Sequence, residues 1–158
     1  MAGNIFRKPF KDEVNYVITS NFGNRLDPFG SGTTKHHSGM DLSAPDGTEI
    51  ISVGDGIVYK VELSDTGLGN HVYIKHEYGE TTFYSVYGHM LENSIVVSEG
   101  QVINEGDVIG IIGSTGASTG THLHFTLTSP IPSLNKEYLV DPYYVIEGIE
   151  NENLSTNN

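Results

Sequence analysis

The sequence predicts an all-β domain: a two-layer antiparallel β-sheet with a barrel-sandwich core, long loops walling a groove, and little helix. Three observations carry this. Short runs rich in β-branched and aromatic residues are separated by Gly, Pro, Asn and Asp turns. No stretch of about ten or more residues in the central part repeats at the helical period. Nineteen glycines occur among 158 residues, so turns are frequent.

The elements follow in order. Residues 1–15 are polar and mixed, and read as an arm lying on the domain. Residues 16–20 (Tyr-Val-Ile-Thr-Ser) read as a strand. Residues 24–36 carry Gly, Pro, Ser and Thr and read as a loop. Residues 40–42 form a short strand closed by the turn Ala44-Pro45-Asp46-Gly47. Strands are expected at 49–53 and 56–63. In 70–76, Val72 and Ile74 share one face and His71, Tyr73 and Lys75 the other. The turn Tyr78-Gly79-Glu80 leads into a hairpin partner at 81–89. Gln101-Val102-Ile103 lies between two turns, 108–112 reads as a buried strand, and 113–120 is a loop of small residues. Residues 122–128 alternate again. Residues 141–146 are expected to pack back on the sheet, and 151–158 to form a frayed tail. Residues 1–150 thus read as one domain.

Composition excludes several classes. Hydrophobic residues make up 37%, with nine Tyr and six Phe, which is too aromatic for a disordered chain. The absence of Cys rules out disulfides and thiolate metal sites. A net charge of −12 argues against a nucleic-acid binder and against anionic membranes. No run approaches the roughly 18 to 20 apolar residues of a membrane span. The first residues lack the basic-then-apolar pattern of a secretory signal.

The chemistry rests on histidines. There are seven, at 36, 37, 71, 76, 89, 122 and 124. His122 and His124 are two apart on a strand, so both point to one face, while Leu123, Phe125 and Leu127 point to the core. Such a pair can serve one metal site, although a polar strand face with two solvated imidazoles explains it equally well. His37 and Asp41 lie four apart, with Gly39 letting the backbone bend between them. A loop His beside a turn Asp is the plainer reading of that pair alone, and His36 competes for the ligand role. His89 ends a strand. His76-Glu77 lacks a second His four residues on, which excludes the helical His-Glu-x-x-His class. His71 and His76 read as structural or surface residues.

Taken together, these pieces resemble the lysostaphin and LytM type of zinc metalloendopeptidases of bacteria and phages. The resemblance runs through His37 to Asp41, then His89, then His122 to His124. It is supported by Phe22-Gly23-Asn24-Arg25, Ala44-Pro45-Asp46-Gly47-Thr48, Asp55-Gly56-Ile57-Val58, and the Gly-rich lead into Thr121-His122-Leu123-His124-Phe125. Two positions depart from the family pattern. Gly88 stands where Ala is usual, and Thr121 where Pro is common; neither removes a ligand.

The resemblance implies one Zn²⁺ per chain held by His37, Asp41 and His124, with His89 and His122 as catalytic histidines. It implies hydrolysis of peptide bonds in peptidoglycan cross-links or stem peptides. Loops at 24–36, 64–69, 91–97 and 113–121 are expected to wall the groove. The expected partner is peptidoglycan peptide, with no nucleic acid and no membrane. The domain is expected to be monomeric and to act outside the cell, at the wall or on a virion. A non-catalytic wall-binding or phage-tail module of the same fold is the alternative. A biotinyl or lipoyl carrier, suggested by residues 99–110, lacks a Lys at a hairpin tip.

Overall fold

The computed structural model describes residues 5–26, 34–118 and 120–149. Fourteen strands dominate it. They are β1 (Phe6–Arg7), β2 (Val17–Ser20), β3 (Gly23–Leu26), β4 (Thr34–His37), β5 (Met40–Ser43), β6 (Glu49–Ile51), β7 (Gly56–Glu62) and β8 (Asn70–Tyr78), followed by β9 (Thr81–Met90), β10 (Val102–Ile103), β11 (Val108–Ile111), β12 (Leu123–Thr128), β13 (Leu139–Val140) and β14 (Ile146–Glu147). The helical content of the described residues is two single 3₁₀ turns, Lys136–Tyr138 and Pro142–Tyr144.

The main sheet has the order β10-β7-β8-β9-β12-β5-β2, with β13 added to β12. Its ladders are all antiparallel. β6 and β11 form a second antiparallel pair. Ile50 and Ile109 from that pair join Val72, Ile74, Tyr87, Leu123 and Phe125 of the main sheet in one hydrophobic cluster. The inward side chains of β12 show why this strand sits centrally: Leu123, Phe125 and Leu127 are all fully buried, and each answers a core position on its neighbours. Phe125 pairs with Tyr87 across the ladder, and their rings meet edge to face at 5.4 Å.

Two expectations change. The segment 24–36 is not all loop: β3 and β4 pair in register from Gly23 opposite His37 to Leu26 opposite Thr34. Its polar composition hid the hairpin, because no apolar alternation marks the two strands. The N-terminal arm is also more than a surface strap. Phe6 and Phe10 are buried in the core, and β1 pairs in parallel with β14. Of the two readings of His71 and His76, structural or surface, the first holds, since both are buried. The expected tail at 151–158 lies outside the described residues.

His76 anchors a polar chain inside the sheet. Its Nδ1 donates to the Asp55 carbonyl at 2.8 Å, and its Nε2 lies 2.8 Å from Ser85 Oγ. Ser85 Oγ in turn lies 2.8 Å from the Tyr87 hydroxyl, which accepts the Val53 N–H at 3.1 Å. Burial pushes the Tyr87 hydroxyl up to about 12 and holds His76 below the ordinary imidazole value, against the pull of the Asp55 carbonyl. The folded protein therefore takes up the His76 proton less readily than the unfolded chain. Its contribution is present in full above about pH 6.5 and is lost as pH falls below that value. Acidification below that point is expected to lower the thermal midpoint, and His76→Gln to flatten this part of the slope. Calorimetry across pH checks it; an unchanged slope in the variant would remove His76 from the account.

Candidate metal centre and active site

The ladder places the site. His124 lies directly opposite Asp41 on β5 and opposite Gly88 on β9. Residues opposite each other in a sheet share a face, so the Asp41 carboxylate and the His124 imidazole meet by register alone. Asp41 Oδ1 is 3.0 Å from His124 Nδ1 and 3.5 Å from His122 Nε2. Gly39, just before β5, packs so closely on β12 that a Cβ there would overlap the Phe125 carbonyl and Thr126 Oγ1. Glycine is required for that approach.

His89 joins the site by a different route. Tyr87 faces the core, so Gly88 faces the site and a regular strand would turn His89 back inward. Two features prevent this. The β8–β9 register shifts between Asn70 and Val72, and His89 adopts a left-handed φ of 59°. The ring then lies 4.8 Å from His122 and 6.0 Å from His124, centroid to centroid. Gly88 leaves open the space above His124 that a side chain would fill; a Cβ there would come within 3.2 Å of Leu68.

The outer nitrogens are all engaged. His89 Nδ1 faces the Thr115 carbonyl at 2.7 Å, and His122 Nδ1 faces the Gly120 carbonyl at 3.0 Å. A carbonyl can only accept, so each Nδ1 carries the proton and each Nε2 is the basic nitrogen. His124 is turned the other way. Its Nε2 lies 3.1 Å from Thr126 Oγ1 and 3.2 Å from Ser38 Oγ, while Nδ1 faces Asp41. The Ser38 and Thr126 hydroxyls can donate or accept, so both tautomers are satisfied: a proton on Nδ1 is given to Asp41, and with the proton on Nε2 the Nδ1 lone pair and a carboxylate oxygen, 3.0 Å apart, leave a place for a cation. A nitrogen and an oxygen donor so disposed fit zinc, whose ligands are His and Asp in a Cys-free chain. Burial holds His89 below the ordinary imidazole value, opposed by the Thr115 carbonyl, with His122 and His124 reinforcing the shift.

Of the five expected site residues, Asp41, His89, His122 and His124 are thus brought together. His37 ends β4, and its side chain lies outside the described residues, as does that of His36. Among the described residues no group of three His, Asp or Glu is arranged to hold a metal. Sequence reasoning missed Ser38, Thr115, Ser118 and Thr126. Thr126 was readable, being two residues beyond His124 on the same strand face. Thr115 and Ser118 act from a loop and left no periodic signal.

Comparison with known proteins shows the family. The profile of Peptidase family M23 matches residues 35–142. The chain belongs to Peptidase family M23. The peptidoglycan DD-endopeptidase ShyC of Vibrio cholerae is 39% identical over 109 residues, covering 68% of this chain and 24% of that protein. This M23 chain therefore spans about a quarter of the length of such curated relatives. Among solved structures, a zinc-containing peptidase from Vibrio cholerae superposes with a TM-score of 0.71 at 30% identity, covering 89% of this chain and 40% of that one. The catalytic domain of the prophage-encoded M23 protein EnpA from Enterococcus faecalis gives 0.67 at 34% identity, covering 87% and 95%. The all-β architecture is that of the family.

A cleft of about 460 Å³ runs beside the M23 site, lined by Asp46, Leu91, Glu92, Ser114, Thr115 and Thr121 among others. It brings together two of the loops expected to wall a groove, 91–97 and 113–121. The 64–69 loop abuts the second of these, with the Gly67 carbonyl accepting the Ala117 N–H at 2.8 Å.

Proposed function

We propose that this M23 domain is a zinc-dependent endopeptidase that cuts peptide bonds in peptidoglycan cross-links or stem peptides. The observation that carries the reading is the convergence of Asp41 and His124 Nδ1, flanked by two histidines whose basic nitrogens are fixed by carbonyls. The relatedness to a peptidoglycan DD-endopeptidase supports the substrate class. Because that substrate lies outside the cytoplasmic membrane, the domain acts at the wall.

His37, Asp41 and His124 hold the metal, one ion per chain. When bound, zinc supplies Lewis acidity toward the scissile carbonyl and a water of lowered pKa. Asp41 offsets part of the cation's charge. Thr126 and Ser38 hold the His124 ring so that Nδ1 faces inward. His122 and His89 present Nε2 to the same space, placing one to accept the nucleophile's proton and pass it to the leaving amine, and the other to hydrogen-bond the developing oxyanion. The Gly-rich walls favour small residues such as Gly or Ala at the cut bond.

Digestion of peptidoglycans of known cross-bridge, with and without chelator, followed by mass analysis of new termini, tests this. New termini that vanish on chelation and return with zinc are expected. Intact cross-links in every substrate would leave the non-catalytic module as the reading.

A further inference from the structure

The M23 site has a support that neither the motif nor the family match assigns. We propose that Thr115 is a positioning residue for His89, fixing its tautomer and ring orientation from the neighbouring loop; its bearing on catalysis rests on the peptidase reading above.

Thr115 reaches the site from both ends. Its carbonyl accepts the His89 Nδ1–H at 2.7 Å. Its hydroxyl donates to the Met90 carbonyl at 2.7 Å and accepts the Asn70 N–H at 3.1 Å. Asn70 and Met90 are opposite each other at the end of the β8–β9 ladder, where the register shift that turns His89 outward interrupts the regular bonding. The threonine hydroxyl thus caps the two strand groups beside the irregular residue, and the same residue's carbonyl holds that residue's ring. One side chain couples the irregularity in the strand to the direction of the imidazole.

The loop carrying Thr115 is itself gripped. A Cβ at Gly69 would overlap the Thr115 carbonyl group, and one at Gly116 would overlap Gly69 N. The Leu68 carbonyl accepts the His89 N–H at 2.7 Å. The two loops meet backbone to backbone, and the hydroxyl bonds to Met90 and Asn70 set where in that contact the Thr115 carbonyl sits. With a carbonyl fixed at Nδ1, His89 has one available neutral tautomer, with Nε2 unprotonated.

The test uses the zinc-loaded chain and its Thr115→Val and Thr115→Ser variants. Imidazole ¹⁵N shifts of wild-type His89 are expected to show Nδ1 protonated and Nε2 bare. Thr115→Val, which keeps the shape but removes both hydroxyl bonds, is expected to give a mixture of tautomers. It should lower kcat by about 10- to 100-fold and change KM by less than about threefold. Thr115→Ser retains the hydroxyl and is expected to restore both readouts.

A wild-type His89 protonated on Nε2 overturns the proposal. So does a Thr115→Val enzyme with unchanged tautomer or unchanged kcat, or a Thr115→Ser enzyme as impaired as the Val variant. Should Thr115→Val fail to fold, the wild-type tautomer and the Ser variant decide. If wild-type protein cuts no peptide, the peptidase reading fails, while the tautomer measurement still judges the role of Thr115.

Discussion

Asp41→Ala is expected to abolish both zinc retention and peptide cleavage while leaving a folded β domain. Asp41 is partly exposed and pairs with His124 and His122 at 3.0 and 3.5 Å. In the zinc site proposed above, removing the carboxylate takes away one of three donors and the negative charge that offsets the cation. Loss of about 4 kcal/mol of transition-state stabilisation corresponds to about a thousandfold in rate. Metal analysis of the purified variant and cleavage of a defined cross-linked peptide check the two effects separately. His124→Ala is expected to behave alike. The surrounding fold should survive both changes, because Met40, Leu42, Leu123 and Phe125, which flank Asp41 and His124 in sequence, supply the buried contacts. A variant that stays fully active would dismiss the zinc assignment.

The ease with which this site was read depends on which residues obey a period. Leu123, Phe125 and Leu127 alternate with His122, His124 and Thr126, so one rule gives both the core face and the site face of β12. Asp41 then meets His124 because β5 and β12 are in register, a pairing that only the fold shows. His89 breaks the rule. In a regular strand it would follow Gly88 to the opposite face, and only its left-handed backbone and the shifted ladder turn it toward His122. No periodicity argument can find such a residue; the motif did. The β3–β4 hairpin stayed hidden for the converse reason, since Asn24, Arg25, Lys35 and His36 give no apolar alternation. Phe6 and Phe10 lay in a segment too polar on average to look like core, yet two rings suffice to seat it.

Replacing His89 should separate the work of that residue from metal binding. His89→Ala is expected to keep the wild-type zinc content and to lose about 10²- to 10⁴-fold in kcat, the range for a positioned acid–base group. The backbone adds a second, independent readout. At φ 59° a residue with a Cβ carries about 1 to 2 kcal/mol of strain, which glycine does not. His89→Gly is therefore expected to be as inactive as His89→Ala but to melt at a higher temperature, by about 1 kcal/mol at the midpoint. Strain held at a residue that the core does not need is what a functional constraint looks like. Equal midpoints for the two variants would mean that the strand relaxes once the imidazole is gone. In that case the His89 ring, through its bond to the Thr115 carbonyl, would be what holds the left-handed turn in place.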